Sequence, residues 1–250
     1  MSASSHQAVV TGLGFVSSLG TCKAEVARSL RELRSGIALW PLAAELDLPV
    51  RLAGLVPGFD THDTNPAAWR WPDDRDIDPA EVRAMPPHGV HALAAVGEAL
   101  AEAGLGKESL ADGRTGLFAA SNGSPRMTFE RLKGLEASGW RRAHPHGVVG
   151  TVAGSLNFHL AALLGIRGAS CGFVSACASG AHALGFALDQ IRLRRQQRMI
   201  VVGAEELTLE SVMPFHAMGA LSLSDDPSAS RPFDRRRDGF VATGGADINI

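Results

Sequence analysis

The sequence predicts an α/β fold, organised as one domain over residues 1–250. The clearest sign is the apolar run 199–202, closed by Gly203, because such runs are typical of parallel strands buried on both faces. A predicted helix over 178–196 precedes this run and follows a short apolar strand over 172–176. Strand, helix and strand in this order indicate a right-handed crossover between parallel strands. The alternation continues along the chain, which is the pattern of α/β architecture.

The elements before this unit follow from local patterns. Residues 7–13 form a short apolar run that ends in glycines and predict the first strand. Residues 23–34 predict an amphipathic helix, residues 89–103 a helix that ends at Gly104, and residues 115–120 a strand. The apolar residues at i, i+4 and i+7 are Val26, Leu30 and Leu33 in the first helix and Leu184, Leu188 and Ile191 in helix 178–196.

The segment 56–88 differs from its surroundings. It is rich in proline, aspartate and tryptophan and has no sustained apolar period. Because apolar periodicity resumes directly after it, we interpret this segment as a surface excursion within one domain and not as a linker. The sequence therefore predicts no second domain.

Composition excludes several classes of protein. Hydrophobic residues make up 45% and charged residues 20% of the chain, which is typical of folded domains and not of disordered chains. The formal net charge of −2 argues against nucleic acid as a partner. No apolar run predicts a membrane span, and the first residues do not form a signal peptide. The three cysteines are odd in number and form no CxxC pair, which favours a cytoplasmic location.

The strongest candidate for chemistry is Cys177. It lies where the predicted strand 172–176 gives way to a helix. Unpaired N–H groups and the positive end of the helix dipole favour a thiolate at such a position. The small residues Ala176, Ala178 and Gly180 leave room for a substrate. A thiolate there would attack a thioester and hold an acyl group, whereas the alternative is a small buried side chain without reactivity.

Two glycine motifs offer competing interpretations. Residues 168–172 match G-x-S-x-G, in which Ser170 would be a hydrolase nucleophile, but that motif needs its strand before the serine and here the strand follows. Residues 11–17 nearly match the dinucleotide fingerprint of a nicotinamide-dependent oxidoreductase. Because Ser17 replaces the third glycine and no acidic residue closes a second strand, a tight strand-to-helix turn is the favoured interpretation.

The remaining clusters favour structural roles. Cys171 is interpreted as structural. His182 lies about 140° round the helix from Cys177, and His216 is predicted in a loop, so we expect neither to be a catalytic base. No metal site is predicted, because the acidic cluster lacks the glycine and distal glutamate of a calcium loop. This cluster comprises Asp73, Asp74, Asp76 and Asp78. Four arginines are expected to complement a helix dipole and face water, or alternatively to dock an acidic protein, namely Arg192, Arg194, Arg195 and Arg198.

Short motifs also follow one another along the chain in a specific order. They occupy residues 8–14, 16–20, 34–37, 175–180, 205–207, 217–222, 230–234 and 237–241. Together they resemble the elongating β-ketoacyl-(acyl carrier protein) synthases of type II fatty acid and polyketide synthesis, in the thiolase superfamily. The segments 205–207 and 218–222 are most similar to the synthase I branch.

This resemblance implies a thiolase-like fold, of which residues 1–250 match the N-terminal half, a layered α/β structure with a mixed, mainly parallel sheet. It implies that Cys177 takes an acyl chain from an acyl carrier protein thioester, with its own N–H in the oxyanion hole. It also implies that Phe215 lines the acyl pocket. Malonyl-carrier protein would then lose carbon dioxide and condense with the acyl group. No cofactor is implied beyond the phosphopantetheine on the carrier protein.

The chain departs from the family pattern after Gly245. In the family this point continues as an apolar strand and then the C-terminal half, which carries two catalytic histidines and a second oxyanion donor. Here Asp247 and Asn249 stand where apolar residues are expected, and none of the nine histidines matches a family histidine motif. Loss of one oxyanion donor alone typically slows a reaction about 100- to 1,000-fold. We therefore expect little condensation by this chain alone.

The partners that the resemblance implies are acyl carrier protein and a second synthase subunit. That subunit is either the same chain in a homodimer or another chain in a heterodimer. A non-catalytic subunit that binds acyl chains or dimerises, like a chain-length factor, is the alternative function. The presence of Cys177 argues against it, because such subunits usually lack the nucleophile. Acyl chain length and the choice between fatty acid and polyketide synthesis stay open.

Overall fold

The computed structural model describes residues 7–143 and 147–250, which form a mixed α/β structure. The strands are β1 (Leu13–Val16), β2 (Ala38–Leu39), β3 (Leu52–Ala53), β4 (Thr115–Ala120), β5 (Ser170–Phe173), β6 (Arg198–Glu205) and β7 (Gly245–Asn249). The helices are α1 (Lys23–Arg31), α2 (Pro41–Glu45), α3 (Pro79–Val82), α4 (His88–Ala103), α5 (Pro125–Ser138), α6 (Ser155–Leu163), α7 (Ser179–Arg192) and α8 (Leu209–Ala217). None of the helices in these residues is long and apolar enough to cross a membrane.

Five of these strands form the central sheet, in the order β1–β7–β6–β4–β5. β4 pairs in parallel with β6 and with β5, whereas β7 pairs antiparallel with β6 and with β1. Four strands therefore run in one direction and β7 runs against them. This confirms the prediction of a mixed, mainly parallel sheet. β2 and β3 pair separately as a small antiparallel ladder.

Helices cover both faces of the central sheet. On one face α4 packs across β1, β7 and β6, and the buried residues there include Ala119 and Val202. On the other face α7 packs on β4 and β6, against Phe118 and Val201. Neighbouring residues of one strand thus belong to opposite cores, as expected for strands buried on both faces. The predicted apolar strand at 199–202 is confirmed as the middle of β6.

The first glycine motif serves close packing and not a turn before a helix. A Cβ atom at Gly14 would lie 1.9 Å from the Ala95 carbonyl oxygen, and one at Gly12 would lie 2.2 Å from the Ala99 carbonyl oxygen. Both carbonyls belong to α4, so these glycines let β1 lie directly on that helix. The interpretation of residues 11–17 as a tight strand-to-helix turn is therefore wrong, because β1 begins inside this motif.

The first strand and helix differ from their predicted bounds. β1 starts at Leu13 instead of residue 7. The Ile250 backbone pairs with Gly12 and Thr11, and Val9 and Val10 are exposed. α1 ends at Arg31, before the predicted end at residue 34. The predicted buried stripe of α1 is also wrong beyond Val26, since Leu30 and Leu33 are exposed.

The unit around Cys177 contains two further corrections. β5 covers Ser170–Phe173 instead of residues 172–176, and it is an edge strand whose first three residues are exposed, not a buried one. α7 meets the sheet through buried Ala183 and Ala187, whereas Leu184 is exposed. Small side chains let the helix backbone approach the sheet closely. Of the predicted stripe, Ile191 packs against this core and Leu184 does not.

The segment 56–88 is not confined to the surface. Its apolar side chains at Trp69, Ile77, Val82 and Met85 are buried in the main core. Proline and aspartate separate Trp69 from Ile77 and Ile77 from Val82, so the segment has no sustained apolar period. The interpretation as a pure surface excursion is wrong for these side chains, although its four aspartates at 73–78 are exposed.

Candidate active site

Cys177 lies in a tight turn between β5 and α7, and its side chain is exposed. Ala176, just before it, has a φ of 51°, a left-handed conformation that is strained for residues other than glycine. The Ser179 hydroxyl holds this turn, because its Oγ accepts the Ser175 N–H at 2.7 Å and donates to the Ala176 carbonyl at 2.6 Å. The turn therefore presents the thiol at the start of the helix.

The backbone N–H of Cys177 differs from the N–H groups that follow it in the turn. The next two N–H groups, of Ala178 and Ser179, donate to the carbonyls of Ser175 and Ala176. Within the described part of the chain the Cys177 N–H donates to no acceptor. The first N–H groups of a helix lack intrahelical partners and carry the positive end of its dipole. One residue therefore combines an exposed thiol with an unpaired N–H.

Cys177 and Phe215 line the same cavity, of about 730 Å³. Phe215 lies on α8, and its ring packs edge to face on Phe240 with 5.3 Å between centroids. A cavity of this size and largely apolar lining is typical of a small-molecule site. Its apolar wall includes Phe15, Ala120, Ala204, Leu207, Val212 and Val241.

A polar wall faces the same cavity, and it was not predicted as part of the site. Glu205 accepts the Asn122 N–H at 2.6 Å, and Glu206 accepts the Ser124 hydroxyl at 2.6 Å. Burial raises the pKa of Glu205. Burial also raises the pKa of Glu206 to about 7, although the hydrogen bond from Ser124 acts to lower it. The sequence feature that indicates a site at Glu205 and Glu206 is their position at the carboxyl end of β6, beside the end of parallel β4. Ligands of open α/β sheets bind at this edge.

None of the six histidines that the structure describes lines this cavity. The Nδ1 atom of His182 lies 2.6 Å from the Ser175 Oγ, and the ring is exposed. His216 lies in α8, so its prediction in a loop is wrong. Neither ring lines the cavity that Cys177 lines.

The competing motifs do not form sites. Ser170 is the first residue of β5 and accepts a hydrogen bond from Asn157 at 2.8 Å, whereas a hydrolase elbow places its serine after the strand. Cys171, interpreted as structural, is exposed on β5 and does not line the Cys177 cavity. No group of acidic, histidine or cysteine side chains in residues 7–143 and 147–250 could hold a metal ion.

The arginine cluster is divided between two roles. Arg192, Arg194 and Arg195 are exposed at the end of α7, as predicted. Arg198 instead belongs to β6 and donates to the Asp112 carboxylate at 2.6 Å. Its expected role as a helix-end charge is therefore wrong, because this guanidinium anchors the start of a central strand.

The fold and the site define an α/β protein that presents a cysteine thiol, at a helix N-terminus, to a largely apolar cavity. Residues 6–248 match the family model described as "Beta-ketoacyl synthase, N-terminal domain". The chain therefore belongs to the β-ketoacyl synthase family, and its fold is the N-terminal part of the thiolase-like fold.

Curated relatives carry the same family name. The chain is 37% identical over 255 residues to 3-oxoacyl-[acyl-carrier-protein] synthase 1 of Escherichia coli strain K12, with 98% of this chain covered. It is 34% identical over 250 residues to the synthase 1 of Haemophilus influenzae, again with 98% covered. In both comparisons the chain spans 58% of the relative's length.

Solved structures agree with this fold. A β-ketoacyl synthase from Burkholderia phymatum STM815 superposes with a TM-score of 0.81 at 30% identity, covering 96% of this chain and 57% of that one. The ishigamide ketosynthase/chain length factor superposes with a TM-score of 0.74 at 26% identity, with the same coverage.

Proposed function

We propose that this chain carries the acyl-accepting half-reaction of a β-ketoacyl-(acyl carrier protein) synthase, with Cys177 as the nucleophile. The observation that carries the proposal is the exposed thiol with an unpaired N–H on the cavity shared with Phe215. Relatives named 3-oxoacyl-[acyl-carrier-protein] synthase support the substrate class.

In the acylation step the Cys177 sulfur attacks the carbonyl carbon of an acyl thioester. The carbonyl oxygen gains negative charge, which the Cys177 N–H stabilises, because a donor aimed at developing charge lowers the barrier. The bond to the carrier thiol then breaks, and that thiol leaves with the proton released by Cys177. The acyl chain remains on the cysteine and lies along the apolar wall beside Phe215.

Condensation needs more than the described cavity supplies. Malonyl thioester must lose carbon dioxide, and the resulting carbanion must attack the acyl group and release the Cys177 sulfur. No described histidine lines the cavity to assist that decarboxylation. We propose that groups outside residues 7–143 and 147–250 assist it, and that the chain alone stops at the acyl-cysteine.

The proposed partner is acyl carrier protein, which brings the substrate on its phosphopantetheine, so no resident cofactor is needed. We propose a cytoplasmic location, supported by three cysteines that are all free of disulfides. We also propose a dimer. β5 is an edge strand with exposed residues, and an edge strand offers unpaired backbone groups to a second copy around a two-fold axis.

A non-catalytic subunit that binds acyl chains or dimerises is the second candidate. The likeness to a ketosynthase/chain length factor pair and the absence of a described histidine at the cavity favour it. The exposed Cys177 thiol favours the first candidate, because acyl binding alone needs no nucleophile.

Two assays separate the candidates. Acyl carrier protein that bears an acyl group on its phosphopantetheine is incubated with the chain. Transfer of the acyl group to the chain is followed by mass spectrometry. The first candidate predicts an acyl adduct, and the second predicts none. Carbon dioxide release from malonyl-carrier protein, measured in parallel, is expected to stay at background.

The dimer is tested by light scattering, with an expected mass of twice 26.2 kDa. Cys171→Lys places a charge on the β5 edge and is expected to give the monomer mass.

A further inference from the structure

A second cavity, of about 510 Å³, lies on the other side of Glu206 from Cys177. Glu206, Leu207 and Gly244 line both cavities, so they form the wall between them. The second cavity opens to solvent beside Glu45 and Asp60, which are exposed. Its walls are mainly apolar and include Trp40, Leu55, Val56 and Phe59.

Three buried polar side chains line this second cavity. His91 and Glu206 are each only 6% exposed, and Arg126 is 9% exposed. Each has a buried atom without a hydrogen-bond partner among the described residues, namely His91 Nδ1, Glu206 Oε2 and Arg126 Nε. Buried polar atoms are normally paired, because an unpaired one loses its hydration without compensation. Three such atoms around one cavity indicate that it holds a hydrogen-bonding molecule.

The three groups define the chemistry of that molecule. Arg126 Nε can only donate a hydrogen bond, whereas Glu206 Oε2 accepts one when the carboxyl is ionised and donates one when it is protonated. A neutral His91 ring can do either. A cationic ligand would meet the Arg126 charge, and an anionic one would meet Glu206 inside and the carboxylates of Glu45 and Asp60 at the mouth. A neutral group that both donates and accepts satisfies the donor and the acceptor together.

We propose that this cavity binds an uncharged amphiphile, with a carboxamide or hydroxyl head between Arg126 and Glu206 and an apolar tail along Trp40 and Phe59. The proposal does not depend on acylation of Cys177. It assigns a second ligand site that shares only the Glu206 wall with the first.

The test is a charge series of one tail length: hexanamide, hexanoate and hexylamine, titrated into the full chain and followed by ligand-observed NMR. Hexanamide is expected to bind at least about ten-fold more tightly than either charged analogue, the size of one well-made hydrogen bond to a charged group. Equal binding of all three, or no saturable binding because the cavity holds water alone, would overturn the proposal.

Variants assign the site. Glu206→Met and, independently, Arg126→Met are each expected to weaken hexanamide binding about ten-fold. Glu136→Gln removes one exposed carboxylate from α5, which lines neither cavity at that residue, and it is expected to leave binding unchanged. Circular dichroism identifies any variant that fails to fold. If one of the two Met variants does not fold, the binding measured for the other decides whether the second cavity holds hexanamide. Unchanged binding in a folded Glu206→Met or Arg126→Met chain contradicts the assignment.

A chemical block separates the two cavities. Alkylation of Cys177 with N-decyl-iodoacetamide places an alkyl chain along the apolar wall of the first cavity, and hexanamide binding is expected to persist afterwards. Loss of binding on alkylation would place the amide beside the thiol and overturn the second site. This result is independent of whether Cys177 accepts acyl groups, which the acyl-carrier protein assay decides.

Discussion

The His88 imidazole and the Ser121 hydroxyl form a buried hydrogen bond, with Nε2 2.7 Å from Oγ. The same Oγ accepts the N–H of Gly123 at 3.0 Å. His88 is the first residue of α4, and Ser121 directly follows β4 and lines the Cys177 cavity. The first turn of α4 is thus hydrogen-bonded to the turn after β4, which lines the Cys177 cavity.

The buried histidines predict loss of stability in acid. Burial lowers the pKa of His88 to about 3 and that of His91 to about 4. Between pH 4 and 6.5 the unfolded chain therefore binds protons that the native chain does not, and the free energy of unfolding falls as the pH falls. Each histidine contributes a slope of about 1.4 kcal/mol per pH unit. Urea denaturation from pH 4.5 to 6.5 is expected to show His91→Phe with a slope smaller by about that amount. An unchanged slope would contradict burial of a neutral His91.

Glu206 predicts a pH dependence of opposite sign. Its pKa is raised by burial to about 7, so between pH 4.5 and 7 the native chain holds a proton that the unfolded chain has lost. This contribution makes the free energy of unfolding fall as the pH rises through that window. Glu206→Gln removes it, so the variant is expected to gain stability over the parent chain by up to about 3 kcal/mol between pH 4.5 and 7. Glu136→Gln, which changes an exposed carboxylate of α5 and is measured in the same urea titrations, is expected to show no such trend. A constant difference between Glu206→Gln and the parent chain would count against a protonated Glu206.

Two glycines predict opposite effects of the same substitution. Gly14→Ala places a Cβ 1.9 Å from the Ala95 carbonyl oxygen and must separate β1 from α4. We expect it to lower the free energy of unfolding by about 3 kcal/mol. Gly97→Ala lies inside α4, where a Cβ meets nothing within 4 Å, and it is expected to add about 0.5–1 kcal/mol. Thermal and urea unfolding measure both. Equal effects would show that β1 does not lie on α4 as described.

The left-handed conformation of Ala176 predicts that glycine at this position increases the free energy of unfolding. Ala176 has a φ of 51°, so Ala176→Gly is expected to stabilise the chain by about 1 kcal/mol. The control is Ala181→Gly, an exposed position inside α7, which is expected to cost about 1 kcal/mol. Urea unfolding compares the two. A loss of stability at both positions would show that Ala176 is not left-handed.

Elements fixed by local signals could be predicted from the sequence. α4 ends at Gly104 as expected, because that residue has a φ of 65° that glycine adopts without strain. β4 and the apolar run of β6 were predicted from their sequences, and so was the position of Cys177 between a strand and a helix. These features depend on neighbours in sequence.

Features set by distant neighbours could not be predicted in this way. β5 is exposed because it lies at the sheet edge, and only the strand order reveals this. The buried hydrogen bond between Ser124 and Glu206 joins residues 82 apart, and no pattern in either segment shows the pairing. The close approach of β1 to α4 likewise appears only when Gly14 and Ala95 are brought together.

The central claim is that Cys177, and not another exposed thiol, accepts the acyl group. Cys171 provides an internal control when labelling is done at a concentration at which light scattering gives the monomer mass, because it is then exposed but lies within β5, away from the helix N-terminus and the cavity. The chain is incubated with decanoyl-N-acetylcysteamine, digested, and mapped by mass spectrometry, with Cys177→Ala alongside. We predict a decanoyl adduct on Cys177, far less on Cys171, and none at position 177 of the variant. Equal labelling of both cysteines, or no adduct on Cys177 under conditions that acylate a full-length synthase, would contradict the account.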